Sequence, residues 1–132
     1  MYGACLTKEE REKLASIWET DLLGHACEME TSLFMACCPG KTKLEYAPKQ
    51  SIEPLNRFKH LRDNGINNAL WWYADYPENV IGNASYASEE KGKAALDIYV
   101  KALARVIKIV KEDTEAPRLQ KEFLDRVQAK GN

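Results

Sequence analysis

Apolar and polar positions along the chain alternate with helical rather than strand periodicity over most of its length. Leu14, Ile17 and Trp18 recur at helical spacing behind Thr7 and Glu10, which are placed to form a capping box. A first helix is therefore predicted over residues 8–19. Asp21-Leu22-Leu23-Gly24 breaks it. A second helix is predicted over residues 27–38, with Glu28 and Glu30 in its first turn, where the helix dipole favours negative charge. Pro39-Gly40 stops it. Residues 41–68 lack a period, and Pro48, Pro54 and the Asn64-Gly65 turn interrupt any long element. Leu70-Trp71-Trp72-Tyr73 is the best strand candidate. Residues 75–88 read as loop.

Ser88 caps the longest predicted helix, residues 89–112. Leu96, Tyr99, Val100, Leu103, Ile107 and Val110 fall on one face, expected to pack on the core. Glu115-Ala116-Pro117 is expected to interrupt it. Residues 113–132 form a charged tail. Leu119, Phe123 and Val127 would lie along one side of a short helix there, or the segment is a loosely docked terminus.

At 132 residues the chain is a single domain, large enough to bury a core. An apolar fraction of 45%, a charged fraction of 30% and a net charge of −1 describe an ordinary soluble protein and give no reason to expect nucleic acid or an anionic membrane as partner. There is no apolar run long enough to span a membrane and no signal-like N-terminus, so the expected location is the cytoplasm. Cys5, Cys27, Cys37 and Cys38 are irregularly spaced, which favours reduced thiols over disulfides, with Cys37 or Cys38 facing a core. No Cys-x-x-Cys pair accompanies His25 to suggest a zinc site.

The most informative stretch is Gly24-His25-Ala26-Cys27-Glu28-Met29-Glu30-Thr31-Ser32. It sets a histidine at the mouth of a helix, with carboxylates in the first turn. An imidazole can accept and donate a proton near neutral pH, which suits acid–base work on a substrate. Equally, His25 could cap the helix or bond a loop. Glu28 is expected to face solvent. Thr31 and Ser32 are expected to pack or to bond back within the helix.

This stretch resembles the His-Ala-Gly-x-x-Glu-Thr-Ser-Leu signature of the creatininase family of metal-dependent amidohydrolases, with Cys27 where glycine is usual. A glycine needed there for positive φ would make that change costly. A second stretch, from Gly82-Asn83-Ala84 to Glu89-Glu90-Lys91-Gly92, is similar to the family's later Gly-Asp-Pro loop and Glu-Lys-Gly helix start. Asn-Ala stands there for Asp-Pro. The resemblance covers about residues 20–112 and implies a partial creatininase-like α/β three-layer fold, helix-rich because only the C-terminal half is represented.

The resemblance further implies hydrolysis of a C–N bond in a cyclic or linear small-molecule amide. His25 would be the proton shuttle and Glu30 the residue that holds its loop; Trp71 and Trp72 would be substrate-pocket candidates. The divalent metals of the family, zinc or manganese, are implied too, but none of the usual ligand motifs is found in this chain. The only other histidine, His60, has no acidic partner at ligand spacing. The chain is then expected to be a truncated or split form that works with a complementary chain carrying the metal site, or within a homo-oligomer. The alternative is a non-catalytic remnant serving as an oligomerisation or binding module.

Overall fold

The computed structural model describes residues 5–130. Six helices follow in order: α1 (Lys8–Ala15), α2 (Glu28–Cys37), α3 (Lys59–Arg62), α4 (Trp71–Asp75), α5 (Glu89–Glu112) and α6 (Glu115–Lys130). Short 3-10 turns lie at Leu44–Tyr46 and Ala84–Tyr86. Among the described residues the β structure amounts to one antiparallel bridge, Ile52 with Gly82. The α/β expectation is thus met only in its helix-rich part. No element longer than this bridge forms a layer of sheet, because loops rather than strands occupy residues 41–58 and 76–87.

The capping box on α1 forms as the sequence predicts: Thr7 Oγ1 accepts from the Glu10 N–H, and Glu10 Oε2 accepts from the Thr7 N–H. The helix ends at Ala15 rather than near residue 19. The backbone N–H groups of Glu19 and Thr20 both donate to the Glu28 carboxylate, so they cannot extend the helical ladder. Ser88 caps α5 by accepting from the Lys91 N–H. The break before α6 falls at residues 113–114, earlier than expected. Asp113 accepts from the N–H groups of Glu115 and Ala116, and Pro117 sits in the first turn, where no N–H is required of it.

The central packing is α2 against α5. It is unusually close, because Gly92 lies directly on the α2 backbone. A Cβ on Gly92 would stand 1.9 Å from the Ser32 carbonyl oxygen. Ala95 and Ala102 continue this buried face, and Leu6, Leu14, Ile17, Trp18, Leu33, Ile98 and Tyr99 fill in around them. The face predicted to pack is therefore displaced. Val100, Leu103, Ile107 and Val110 remain exposed, as do Leu119, Phe123 and Val127 on α6. Small side chains win the buried face because they let the two backbones approach. The large apolar stripe is left without a cover among the described residues.

The strand expected at Leu70-Trp71-Trp72-Tyr73 is helical instead. Arg57 donates to the carbonyl groups of Tyr73 and Ala74, satisfying the free end of a single helical turn, and its guanidinium lies 5.3 Å from the Tyr73 ring. Arg62 pairs with the buried Asp75 at 2.5 Å. Those tertiary bonds override the β preference of the aromatic run. Among the described residues, no helix is long and apolar enough to cross a membrane.

Glu28 is fully buried, contrary to its expected solvent-facing place. Its carboxylate accepts from the Glu19 N–H at 3.0 Å, the Thr20 N–H at 2.9 Å, the Thr20 hydroxyl at 2.8 Å and Lys91 Nζ at 2.5 Å. Burial pushes its pKa up, but the bonds from Lys91, Glu19 and Thr20 outweigh that, and the carboxyl is held below its ordinary value of 4.5. Glu10, hydrogen-bonded by Arg105, is lowered to about 2. Both groups bind protons more tightly in the unfolded chain. Their stabilisation is complete above pH 4.5 and declines as pH falls below it, for Glu10 until about 2.

This network makes the fold acid-sensitive in a checkable way. Melting temperature should drop as pH is lowered from about 6 towards about 3, across the range where carboxylates titrate, and Glu28→Gln should flatten that dependence; an unchanged slope would count against Glu28 as the sensitive group. Lys91→Met should cost about 3–5 kcal/mol in denaturant unfolding, because it leaves a buried carboxylate unpaired.

Candidate functional site

The site begins where the loop after α1 turns into α2. Cys27 is the N-cap residue, with extended backbone at φ −73° and no side-chain cap. Its side chain is completely buried, whereas Cys37 is exposed and Cys38 half-buried, so the core cysteine is neither of the two expected. Cys27 needs no positive φ. The left-handed residue is its neighbour Ala26, at φ 57°. The substitution of glycine by cysteine is therefore tolerated by the backbone, and the strain rests on Ala26.

Glu30 reaches back one turn. Its Oε2 accepts from the Ala26 N–H at 2.9 Å and stands 3.6 Å from His25 Nδ1. Thr31 Oγ1 donates to the Ala26 carbonyl at 3.3 Å. Ser32 bonds outward rather than within the helix: its hydroxyl accepts from the Ser88 N–H at 3.2 Å, joining α2 to the cap of α5.

From the other side, the Ile81 N–H donates to the His25 carbonyl at 2.9 Å. Gly24 must be glycine for this contact, since a Cβ there would lie 2.6 Å from the Ile81 side chain. Gly82, at φ 79°, comes against the Leu22 carbonyl, where a Cβ would be at 2.2 Å. The two sequence stretches that carry the family resemblance are thus interlocked through Glu28–Lys91, Ser32–Ser88 and Ser32–Gly92, with Gly24–Ile81 just ahead of the second stretch.

His25 is about half exposed. It overlooks an open cleft of about 340 Å³ lined by His25, Ala26, Glu30, Thr31, Phe34 and Thr42. Trp72 stands edge-on to the imidazole, ring centroids 5.9 Å apart. Trp71 is stacked edge-on against Trp72 but lines a separate cavity with Phe58, Arg62, Ile66, Asn67 and Asn68. Of the two tryptophans, only Trp72 touches His25. Sequence reasoning missed Asn79. Its Nδ2 lies 3.5 Å from His25 Nε2, and its Oδ1 accepts from Trp72 Nε1 at 2.6 Å. Its one legible signal is that asparagine tolerates the left-handed backbone it adopts, φ 57°. His60 sits on α3, edge-on to Phe58.

The family model for creatininase, creatinine amidohydrolase, matches residues 3–107. The chain belongs to the creatininase family. A crystal structure of a candidate creatinine amidohydrolase from Bacteroides fragilis superposes with a TM-score of 0.61 at 23% identity, over 75% of this chain and 39% of that one. At that identity the likeness speaks for the fold, and the creatininase-family chain described here spans about 39% of the length of that relative. No curated protein matches the chain.

Creatininases are generally metal-dependent hydrolases. Among the described residues, no three His, Cys, Asp or Glu side chains come together as a metal-binding group. The buried carboxylates are already neutralised, Glu28 by Lys91 and Asp75 by Arg62. Beside His25 the one ionic partner is Glu30, so these residues do not by themselves fit a divalent centre.

The backbone assignment is checkable by a pair of substitutions. Ala26→Gly should stabilise the chain by up to about 1–2 kcal/mol, relieving the left-handed alanine. Cys27→Gly should destabilise it, because a fully buried side chain is lost. Thermal unfolding of the two variants gives both signs; the reverse order would mean that residue 27 carries the strained conformation.

Proposed function

We propose that this chain is the C-terminal half of a creatininase-type amidohydrolase that cleaves the C–N bond of a cyclic or linear small-molecule amide, in truncated or split form and in the cytoplasm. His25 carries the proton and Glu30 orients it. The observation behind this reading is the placement of His25: exposed over a cleft, gripped through its backbone by Ile81 and flanked by a carboxylate at 3.6 Å.

Hydrolysis adds water across the amide. The water oxygen bonds to the carbonyl carbon, the C–N bond breaks, and the departing nitrogen takes a proton. An imidazole can collect the proton released by the water and hand it to that nitrogen. Glu30 supports the transfer by stabilising the imidazolium that forms between the two events. Phe34 offers an apolar wall to a small substrate in the cleft, and Thr42 lines it with its hydroxyl oxygen turned inward and buried. Trp71 and Trp72 are retained as pocket candidates, Trp72 through its contact with His25. The zinc or manganese centre of the family would be carried by a complementary chain, since the usual ligand motifs are absent from this one and hence from any second copy of it.

A second reading has its own support. Val100, Leu103, Ile107 and Val110 on α5 and Leu119, Phe123 and Val127 on α6 expose apolar surface along both helices. Faces of that kind mark interaction sites, which suits a non-catalytic oligomerisation or binding module.

The two readings separate in one experiment. The chain is mixed with a creatininase-like chain that carries the metal-ligand half, in zinc or manganese, and ring opening of creatinine and amine release from linear amides are followed while assembly is read by light scattering. The hydrolase reading expects turnover in the mixture, reduced at least about a hundredfold by His25→Gln with assembly intact. Assembly without hydrolysis of any amide would leave the binding module standing in its place.

A further inference from the structure

We infer that Trp72 and Asn79 act as a positioning pair that fixes which nitrogen of His25 carries the proton. Trp72 Nε1 donates to Asn79 Oδ1 at 2.6 Å. An indole nitrogen can only donate, so the amide oxygen must face Trp72 and the amide nitrogen must face His25. That nitrogen, Nδ2, lies 3.5 Å from His25 Nε2 and is itself a pure donor. In the neutral ring, Nε2 is therefore the lone-pair nitrogen and Nδ1 bears the hydrogen. Nδ1 faces Glu30 Oε2 at 3.6 Å, an ionised carboxylate that can only accept. From Trp72 through Asn79 to His25, donor and acceptor roles are each set by the group before, and Glu30 stands beyond hydrogen-bond distance as the ionic neighbour of Nδ1.

The row is held rigidly enough to act. Asn79 closes a turn by donating its N–H to the Tyr76 carbonyl at 2.9 Å, with the left-handed backbone that asparagine accommodates. Two residues on, Ile81 grips the His25 carbonyl, so one short segment holds both the backbone and the ring of the histidine. Tyr76 packs on Trp72 at 5.2 Å between ring centroids, and α4 is pinned by Arg57. In the reaction, a role that rests on the reading of His25 given above, the pair marks Nε2 as the nitrogen that accepts the proton. An amide donor facing the same atom then opposes its retention there, which assists delivery to the leaving nitrogen.

The test needs no activity. Two-bond 15N–1H correlation spectra of the full chain, selectively labelled at histidine and taken at about pH 8, where a free imidazole is neutral, report the tautomer of His25 directly. The expected result is the Nδ1–H form in the wild type. Asn79→Asp keeps an acceptor for Trp72 but turns a second acceptor to Nε2, and should move His25 to the Nε2–H form or the imidazolium. Trp72→Phe keeps the ring contact, releases the amide and should give a mixture. Circular dichroism and melting temperature confirm that each variant is folded. An Nε2–H wild type, or a tautomer indifferent to Asn79→Asp in a folded protein, overturns the inference. Failure of His25→Gln to affect hydrolysis would sink the proton-carrier reading instead, leaving the tautomer assignment untouched.

Discussion

A buried carboxylate organises this chain. Glu28 has no contact with water, and an isolated ion in that position would be prohibitively unfavourable. It is stable only because two separate segments arrive to satisfy it: Glu19–Thr20, through two backbone N–H groups and the Thr20 hydroxyl, and Lys91 from the first turn of α5. The exchange of water for these partners is close to neutral as a contribution to stability. Its effect is on geometry. Only one placement of α5 against α2 puts Lys91 on Glu28, Gly92 on the Ser32 carbonyl and the Ser88 N–H on the Ser32 hydroxyl. Lys91 is also drawn to Glu19 and the Tyr86 carbonyl, which ties the approach to α5 into the same knot.

That knot decides where His25 stands. Because Glu28 holds residues 19 and 20, the loop from Asp21 to Cys27 is short and anchored at both ends. Ile81 and Gly82 then close on Gly24 and Leu22. Neither glycine is a matter of flexibility alone. Both are sites where another part of the chain occupies the volume a side chain would need. The histidine is thus delivered by close backbone contacts, and its ring lines the cleft.

Much of this was legible in the sequence, and the rest fails for identifiable reasons. Thr7 with Glu10 and Ser88 with the acidic turn behind it announced two helix starts, since capping is a local matter. The two family-like stretches and their order were also visible, though not the contact between them. What could not be read was that a glutamate two residues from a solvent-exposed one would be the most deeply buried charge among the described residues. Its partners lie 8, 9 and 63 residues away. The aromatic run at Trp71 has β propensity, but Arg57 supplies the carbonyl bonds of a helical turn. The face of α5 misled for a related reason. Its large apolar side chains gather around Val100 and Leu103, whereas close packing selects Gly92, Ala95 and Ala102. Asn79 has nothing in its sequence surroundings to connect it with a histidine 54 positions earlier.

The apolar surface and the His25 site share one residue. Glu30 lines the cleft beside His25, and it also lines a second, largely apolar groove of about 510 Å³ between α2 and α5, with Cys5, Met29, Leu33, Leu96, Tyr99 and Leu103. In the chain as it stands, Glu30 is half exposed, and its attraction for His25 across 3.6 Å is screened by water. A subunit seated in that groove would displace water from one side of the carboxylate and lower the effective dielectric around it. The same two atoms at the same distance would then interact several times more strongly. Assembly at the apolar face would, on this geometry, also change the electrostatics at His25. Glu30 is the physical link by which a partner on that surface would be felt at the histidine.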